Sequence, residues 1–294
     1  MQFDEILMVA VRGVGIGSIF SLLAMSMNVT YNASHIINFA QGNMFVLGGF
    51  IAVGVAEMLT GVPVWMLMIP LAGLALGAVM LVQGWITLLP LRKSVEQHSW
   101  LITTMAVSII ISAAILILQG PWAADVASVL PPTHFLGMET PAPYFAVPAL
   151  MLFWYFGLNF FYRRTIAGLA MSALSQDIDA ARTAGLQVRR LQLLSFVVSG
   201  IIVGTAGFVA APIITIGSES GIRYVLNGFL AAVVGGFGNN LGALIGGPLV
   251  GVITMIATYK IGGQYQAFVS LVLLVAVLML RPEGLFGRPA ARRV

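Results

Sequence analysis

Long apolar runs separated by short polar stretches dominate the chain, and most of them approach the length of a membrane-spanning helix. A helix that crosses a bilayer needs about 20 consecutive apolar residues. Runs close to this length lie at 6–28, 39–59, 64–89, 100–118, 144–162, 193–211, 241–259 and, more marginally, 267–280. A further apolar stretch of 15 residues occupies 224–238. The pattern predicts an all-α integral membrane protein with about eight or nine transmembrane helices, some of them discontinuous.

Composition supports this class. Of 294 residues, 59% are hydrophobic and 8% are charged, whereas soluble domains carry about 25% charged residues. The polar side chains are too few to cover a surface in water, so residues 1–294 are predicted to form a single transmembrane domain. The first residues, MQFDEILMVAVRG, are acidic before the apolar run begins, unlike the basic start of a secretory signal peptide. We therefore expect the first run to remain as a membrane span.

Positive charges predict how the chain lies across the membrane. Eleven of the 14 Lys and Arg residues fall in three groups, at 92–93, 163–190 and 281–293. Basic loops stay in the cytoplasm, which places these groups inside and the segment 119–143, which lacks Lys and Arg, outside. An even number of crossings must then separate 163–190 from the tail, so 224–238 is predicted to cross as a half-helix completed by irregular backbone.

The resulting topology has nine crossings, with the amino terminus outside and the carboxyl terminus in the cytoplasm. In a membrane protein, the net charge of +4 reports this orientation and does not indicate nucleic-acid binding.

Two apolar runs in different halves of the chain each contain a polar, glycine-rich interruption. The first interruption is formed by Asn38, Gln41, Gly42 and Asn43, and the second by Gly236, Gly238, Asn239 and Asn240. Paired interruptions mark the solute path of many transporters and can reflect an internal repeat, and broken helices expose N–H groups that attract carboxylates. We predict that these eight residues line a pathway from opposite sides. Hydrogen bonding within a loop is an equally acceptable role for the first amides, and helix packing is the preferred role for the neighbouring glycines.

The segment 163–192 is the one long loop that the charge pattern places in the cytoplasm. Residues 170–184 contain no Gly or Pro and predict a helix, which Gly185 would end. A basic amphipathic helix can simply lie on the membrane. The small apolar side chains and the two aspartates, Asp177 and Asp179, instead favour docking to a soluble partner.

Five stretches, in this order along the chain, resemble LivH-type permeases of the branched-chain amino acid ABC transporters. They are INFAQGNMFVLGGFIA, LITTMAVSIIISAAILILQG, the stretch from SALSQDIDAARTAGL to GFVAAP, AAVVGGFGNNLGALIGGPLVGVI, and LRPEGLFG. The resemblance covers nearly the whole chain. It implies a permease subunit of a bacterial inner-membrane importer, most simply for branched-chain or other apolar amino acids. Members of this family also move urea, short amides and aromatic acids.

The resemblance also implies partners and residue roles. A second, LivM-like permease, two cytoplasmic ATPase subunits that hold ATP and Mg, and an extracytoplasmic solute-binding protein would complete the transporter. The ATPase-coupling role would fall on Asp177, Asp179, Ala180, Ala181 and Gly185.

Isolated polar residues give weaker indications. Thr104 lies on an apolar helix that would face the same pathway, although small hydroxyl residues more often serve helix packing. Glu219 and Arg223 are four residues apart and are expected to pair at the outer mouth. Steering of a charged solute is the alternative role for these two residues.

No nucleotide, metal or catalytic site is predicted in the chain itself. No G-x-x-x-x-G-K-[ST] motif occurs, so ATP binding is expected in a partner. His35, His98 and His134 lack metal-ligand spacing, and no convergent acid–base set indicates an enzyme. An ion-gradient-driven transporter acting alone is the rival interpretation, and Glu57 is the one serious candidate for its membrane-embedded coupling acid.

Overall fold

The computed structural model of the chain describes residues 3–58, 61–88, 99–135, 138–281 and 283–287. The α-helices in these ranges are α1 Phe3–Ser34, α2 Gln41–Met58, α3 Val62–Leu88, α4 Ser99–Gln119, α5 Pro143–Arg164, α6 Ile166–Gln176, α7 Ile178–Thr183, α8 Val188–Ala210, α9 Ser220–Gly235, α10 Asn240–Ile261 and α11 Gln266–Leu280. Short 3₁₀ turns lie at Ala211–Ile213 and Gly263–Tyr265, and a hairpin pairs β1 (Thr133–Phe135) with β2 (Met138–Thr140).

The all-α membrane class predicted from the sequence is confirmed. Eight helical segments in the described ranges are long and apolar enough to cross a bilayer, with α8 and α11 each counted together with the adjoining 3₁₀ turn. Helix α9 is a shorter apolar helix. The 16 residues of α9 extend for about 24 Å, which is less than the hydrocarbon core of about 30 Å. The short apolar segment expected at 224–238 is therefore a helix that begins earlier than predicted. The nine crossings, their orientation and the internal repeat stay predictions, and the basic groups at 92–93 and 288–293 lie outside the described residues.

The long helix α1 runs through the centre of the bundle. Leu22 on this helix is fully buried. Gly13 and Gly17 of α1 lie against Gly251 and Gly247 of α10, so closely that a methyl group on either side would overlap the opposite backbone. Glycines allow this approach because they have no side chain, and close backbone contact is the main source of helix association in lipid.

Helix α8 is the other well-buried helix, and α3 packs along it through Gly73 and Gly77. The helices α4 and α11 lie at the periphery. No residue of α11 is buried, and α4 exposes apolar side chains such as Ile102 and Ile117. Exposed apolar faces of this kind suit contact with lipid or with another membrane subunit.

The prediction of a single helix over 170–184 is wrong, because the segment forms two helices, α6 and α7, that meet at Asp177. The Asp177 carboxylate accepts hydrogen bonds from the backbone N–H groups of Asp179 at 2.9 Å and Ala180 at 3.0 Å. This N-cap satisfies the first N–H groups of α7 and ends α6 at the preceding residue.

Gly185 ends α7 as the sequence predicts. Its φ of 84° is a left-handed conformation that favours glycine. The Gly185 N–H donates to the Arg182 carbonyl, and the Leu186 N–H donates to the Ala181 carbonyl, both at 3.1 Å. This pair of bonds is the Schellman arrangement, which fixes the direction in which the chain enters α8.

We expect that Gly247→Val lowers the stability of the protein, since the new side chain would overlap Gly17 and Ser21 and push α1 away from α10. Overpacking of this kind costs about 1–3 kcal/mol. Thermal unfolding in detergent measures the change. Gly157→Val is the matched control, because no atom lies within 4 Å of the position that its Cβ would occupy. Equal melting temperatures for the two variants would contradict the packing described for α1 and α10.

Candidate functional site

The first interruption is an irregular segment between α1 and α2, and Asn38 anchors it. The Asn38 side chain is fully buried and exchanges two hydrogen bonds with the amide of Gln83 on α3. Asn38 Nδ2 donates to Gln83 Oε1 at 3.2 Å, and Gln83 Nε2 donates to Asn38 Oδ1 at 2.7 Å. Asn38 Oδ1 also accepts the Ala40 N–H at 3.0 Å. Both polar atoms of the Asn38 side chain therefore have protein partners in this conformation.

Gln41 and Asn43 hold the start of α2 at about half the depth of the bundle. Gln41 Nε2 donates to Ser199 Oγ at 2.6 Å, and Asn43 Nδ2 donates to the carbonyl and hydroxyl oxygens of Ser108 at 2.6 and 2.8 Å. Ser199 lies near the middle of α8, and Ser108 lies near the middle of α4. Helix α2 thus begins beside the midpoints of two longer helices.

Among the residues that the structure describes, two amide oxygens at this position have no hydrogen-bond partner. Gln41 Oε1 and Asn43 Oδ1 are both buried and unpaired, and such an acceptor costs about 1–3 kcal/mol. The orientation of the Asn43 amide is well determined, because its nitrogen donates to a backbone carbonyl. The N–H groups of a bound solute would stabilise both oxygens.

The start of α9 lies directly against the start of α2. Gly42 contacts the carbonyl group of Gly221, and Asn43 Oδ1 lies against the Gly221 Cα. Ile216, in the segment that leads into α9, packs on Gly49 of α2. The segment 214–219 therefore folds into the bundle, so that α9 begins inside the bundle.

Two short helices consequently place their amino-terminal ends side by side. Glu219 supplies no side-chain hydrogen bond to cap α9. The first N–H groups of a helix carry a partial positive charge, and in transporters the ends of broken helices face the anionic groups of substrates. The contact between Gly42 and Gly221 closes this position in the present conformation.

The second interruption is held by side chains of α1. Gly236 and Gly238 have φ values of 101° and 82°, which favour glycine. The Gly238 N–H donates to Asn28 Oδ1 at 2.8 Å, and Asn32 Nδ2 donates to the Gly238 carbonyl at 3.0 Å. Asn239 is the N-cap of α10, and its Oδ1 accepts the next backbone N–H groups at 3.0 and 3.4 Å. These bonds give the glycines and Asn239 clear structural roles.

Residues 283–287, the described end of the LRPEGLFG stretch, cover the second interruption. The N–H groups of Leu285 and Phe286 donate to the carbonyls of Val234 and Gly235 at 2.8 and 3.0 Å. Asn239 Nδ2 donates to the Phe286 carbonyl at 3.0 Å. Carbonyls at the end of a helix lack partners within the helix, so this stretch completes the end of α9.

A row of aromatic rings joins the two interruptions. The ring of Phe39 lies 6.4 Å from that of Phe229, which lies 5.8 Å from that of Phe237, which in turn lies 4.6 Å from that of Tyr31. The two groups of predicted residues are therefore neighbours separated by rings. The direct neighbour of Gly42 is the start of α9, which the sequence did not single out.

The remaining predicted pathway residues, Thr104 and Asn240, differ in burial and in hydrogen bonding. Thr104 is fully buried, and its hydroxyl donates to the Leu101 carbonyl of its own helix at 3.3 Å. Asn240 begins α10, and its Oδ1 is buried without a partner. The pathway role of all nine predicted residues stays a prediction.

The predicted coupling residues lie on one exposed turn. Four of them are exposed at the end of α6 and around α7, namely Asp177, Asp179, Ala180 and Gly185. Ala181 is buried and packs with Leu174 and Val188 in a small apolar cluster. Ala181 therefore fixes α7 on the start of α8, and the exposed surface is formed by its neighbours.

The prediction that Glu219 and Arg223 form an ion pair is wrong. Among the described residues no carboxylate lies within 4.0 Å of the Arg223 guanidinium, which instead donates from Nη2 to Ser220 Oγ at 3.5 Å. Glu57 is exposed at the end of α2, and His35 is exposed beside the Tyr31 ring. His98 and the side chain of His134 lie outside the described part of the chain.

Sequence reasoning missed the polar residues of α1 and the partners of the interruptions. The predicted span ended at residue 28, whereas α1 continues to Ser34 and carries Asn28, Thr30 and Asn32 toward the two interruptions. Polar residues at alternate positions after an apolar run were the available signal. Gln83 also could have been found, because it is a lone amide within a long apolar run.

Comparison with known proteins connects these features to a family. The family model described as "Branched-chain amino acid transport system / permease component" matches residues 9–278. LivH of Salmonella typhimurium, a high-affinity branched-chain amino acid transport system permease protein, is 26% identical over 100% of this chain and 99% of its own length. BraD of Pseudomonas aeruginosa, which carries the same description, is 28% identical over 97% of this chain and 96% of its own. No solved structure matches the chain.

We expect that Asn38→Leu and Gln83→Leu each destabilise the protein by about 1–3 kcal/mol, because each leaves a buried group without its partner. Asn38→Leu leaves the Gln83 amide unpaired, and Gln83→Leu removes the oxygen that accepts from Asn38 Nδ2. The double variant should cost less than the sum of the two, since it removes both groups. Thermal unfolding in detergent gives the three values, and Gln119→Leu, at an exposed amide, should be near neutral. Additive costs for Asn38 and Gln83 would show that the two amides do not interact.

Proposed function

Because the chain belongs to the family of branched-chain amino acid transport permeases, we propose that it is the membrane-embedded subunit of an ATP-driven importer for small apolar amino acids. The observation that carries the proposal is the contact between the starts of α2 and α9, where Gly42 meets Gly221 within the bundle. A pathway needs a place that can close without leaving charges in lipid, and two glycines allow that closure through backbone contact alone.

The chemistry at this contact suits an amino acid. Separation of α2 from α9 would expose their first N–H groups, which attract a carboxylate. The unpaired oxygens of Gln41 and Asn43 would accept hydrogen bonds from the ammonium group. An apolar side chain could pass the aromatic row of Phe39 and Phe229. Urea and short amides are the second candidates, because they also present N–H donors to the two unpaired oxygens.

Movement driven by ATP hydrolysis in the partner subunits would be transmitted to this contact through α8. Docked ATPase subunits would move the exposed turn around Asp177 and Asp179. Ala181 and Val188 pack together, and the Schellman turn at Gly185 ties α7 rigidly to α8. The same α8 carries Ser199, which binds Gln41. A displacement of α7 would thus be transmitted along a single helix to the first turn of α2.

This proposal includes partners outside the chain. They are two ATPase subunits with ATP and Mg, a LivM-like second permease and an extracytoplasmic solute-binding protein, assembled in a bacterial inner membrane with the α6–α7 turn in the cytoplasm. A transporter driven by an ion gradient would need an acid within its spans. No carboxylate is buried among the side chains that the structure describes, which favours the ATP-driven mechanism.

Reconstitution with the co-expressed partner subunits tests both mechanisms. We expect leucine uptake to require ATP, and Asp179→Lys to lower uptake by about tenfold, because charge reversal on an exposed docking turn disrupts a central contact. Glu57→Lys is the matched control, since it reverses an exposed carboxylate at the far end of α2. Uptake that persists without ATPase subunits, fails in Glu57→Lys and survives in Asp179→Lys would overturn the proposal and favour the ion-driven alternative.

A further inference from the structure

Helix α9 has two different faces. Gly221 and Val225 lie toward the start of α2. Arg223, Asn227 and Leu230 lie on the opposite side, where they line a cavity of about 580 Å³ between α9 and α11. Ligand sites in proteins have volumes of roughly 300–1,000 Å³, so this cavity has room for a small ligand. None of the residues predicted to form the pathway lines it.

Arg223 is the charged side chain that lines this cavity. A guanidinium has five N–H donors. Within the described residues, the Arg223 guanidinium uses one of them, for the 3.5 Å hydrogen bond from Nη2 to Ser220 Oγ. No carboxylate in the described part of the chain is within 4.0 Å of it. A second cation lies behind the cavity wall, because Arg12 is 6.0 Å from the ring centroid of Tyr144, and Tyr144 lines the cavity. The local charge therefore favours an anion.

Two of the other polar side chains of the cavity, Asn227 and Tyr224, are already engaged. Asn227 Oδ1 accepts the Ser270 hydroxyl at 2.8 Å, and Asn227 Nδ2 donates to the Arg223 carbonyl at 2.9 Å. The Tyr224 hydroxyl donates to the Thr215 carbonyl at 3.2 Å. Gln264, Gln266 and Tyr144 add neutral donors to the lining, and Arg223 is the charged group with donors to spare. It forms charge-assisted hydrogen bonds most readily with a carboxylate or a phosphate, whose oxygens match its planar fork.

Apolar side chains form most of the remaining walls, including Phe20, Leu230, Met255 and Leu274. A ligand that fills the cavity must therefore combine one anionic group with an apolar body. We propose that the cavity binds an amphipathic anion, with its carboxylate or phosphate on Arg223 and its apolar part between α9 and α11. An anionic phospholipid has this chemistry. An apolar amino acid, although it is a zwitterion, also presents a carboxylate beside an apolar side chain.

Occupation of the cavity would also restrain the proposed separation of α9 from α2. Arg223 and Gly221 lie in the same first turn of α9, so an anion held by Arg223 would limit how far that turn can move away from α2. This consequence rests on the proposed function, whereas binding itself does not.

Binding of dansyl-undecanoic acid to the purified full-length chain in an uncharged detergent tests the proposal, with the methyl ester of the same probe as the uncharged comparison. We expect Arg223→Gln to weaken binding of the acid about tenfold through loss of charged hydrogen bonds, and to leave the ester unaffected. Lys260→Gln is the matched control, because it removes an exposed cation near the end of α10 that does not line the cavity. Ala267→Phe should weaken acid and ester alike, since Ala267 is exposed and lines the cavity.

Competition identifies the source of the anion. Displacement of the acid by leucine assigns the site to a solute, and displacement by phosphatidylglycerol but not phosphatidylcholine assigns it to a lipid. Equal binding of the acid to wild type and Arg223→Gln, equal affinity for acid and ester, or failure of both competitors would overturn the proposal. Transport that fails while acid binding stays intact would instead count against the proposed function alone.

Discussion

The need to pair every polar group inside an apolar bundle is the constraint on which the rest of this structure depends. An unpaired N–H or C=O group in the hydrocarbon region costs several kcal/mol. Here α1 meets part of that need at both interruptions, through Asn28 and Asn32 at Gly238 and through Thr30 at Gln41. The polar residues near the end of one buried helix thereby support both interruptions.

Glycine determines how closely the helices around α1 approach one another. The contacts of Gly17 with Gly247 and of Gly42 with Gly221 are both backbone contacts. The first lies in a long continuous interface between α1 and α10, whereas the second joins two short helices at their starts. A contact between short helices buries less surface and is easier to open, so the same chemistry can serve a fixed interface in one place and the proposed gate in the other.

The sequence predicted the membrane class, the positions of both interruptions and the end of α7 at Gly185, because hydropathy and left-handed glycine are local signals. The split between α6 and α7 was missed although Asp177 carried a local signal, since absence of Gly and Pro was given more weight than N-cap preference. The pairing of Asn38 with Gln83, and of Gln41 with Ser199, depends on tertiary packing. The position of the start of α9 against Gly42 also depends on tertiary packing, and no local pattern encodes it.

Cysteine accessibility measures most directly whether the starts of α2 and α9 border a water-filled pathway. The natural chain has no cysteine, so a single cysteine at Asn43 in the assembled importer reports on that position alone. The account predicts that a water-soluble thiol reagent modifies it in one nucleotide state and fails to modify it in another, while a cysteine at the fully buried Phe45 stays unmodified throughout. A cysteine at Asn43 that never reacts, in any nucleotide state, would contradict the account.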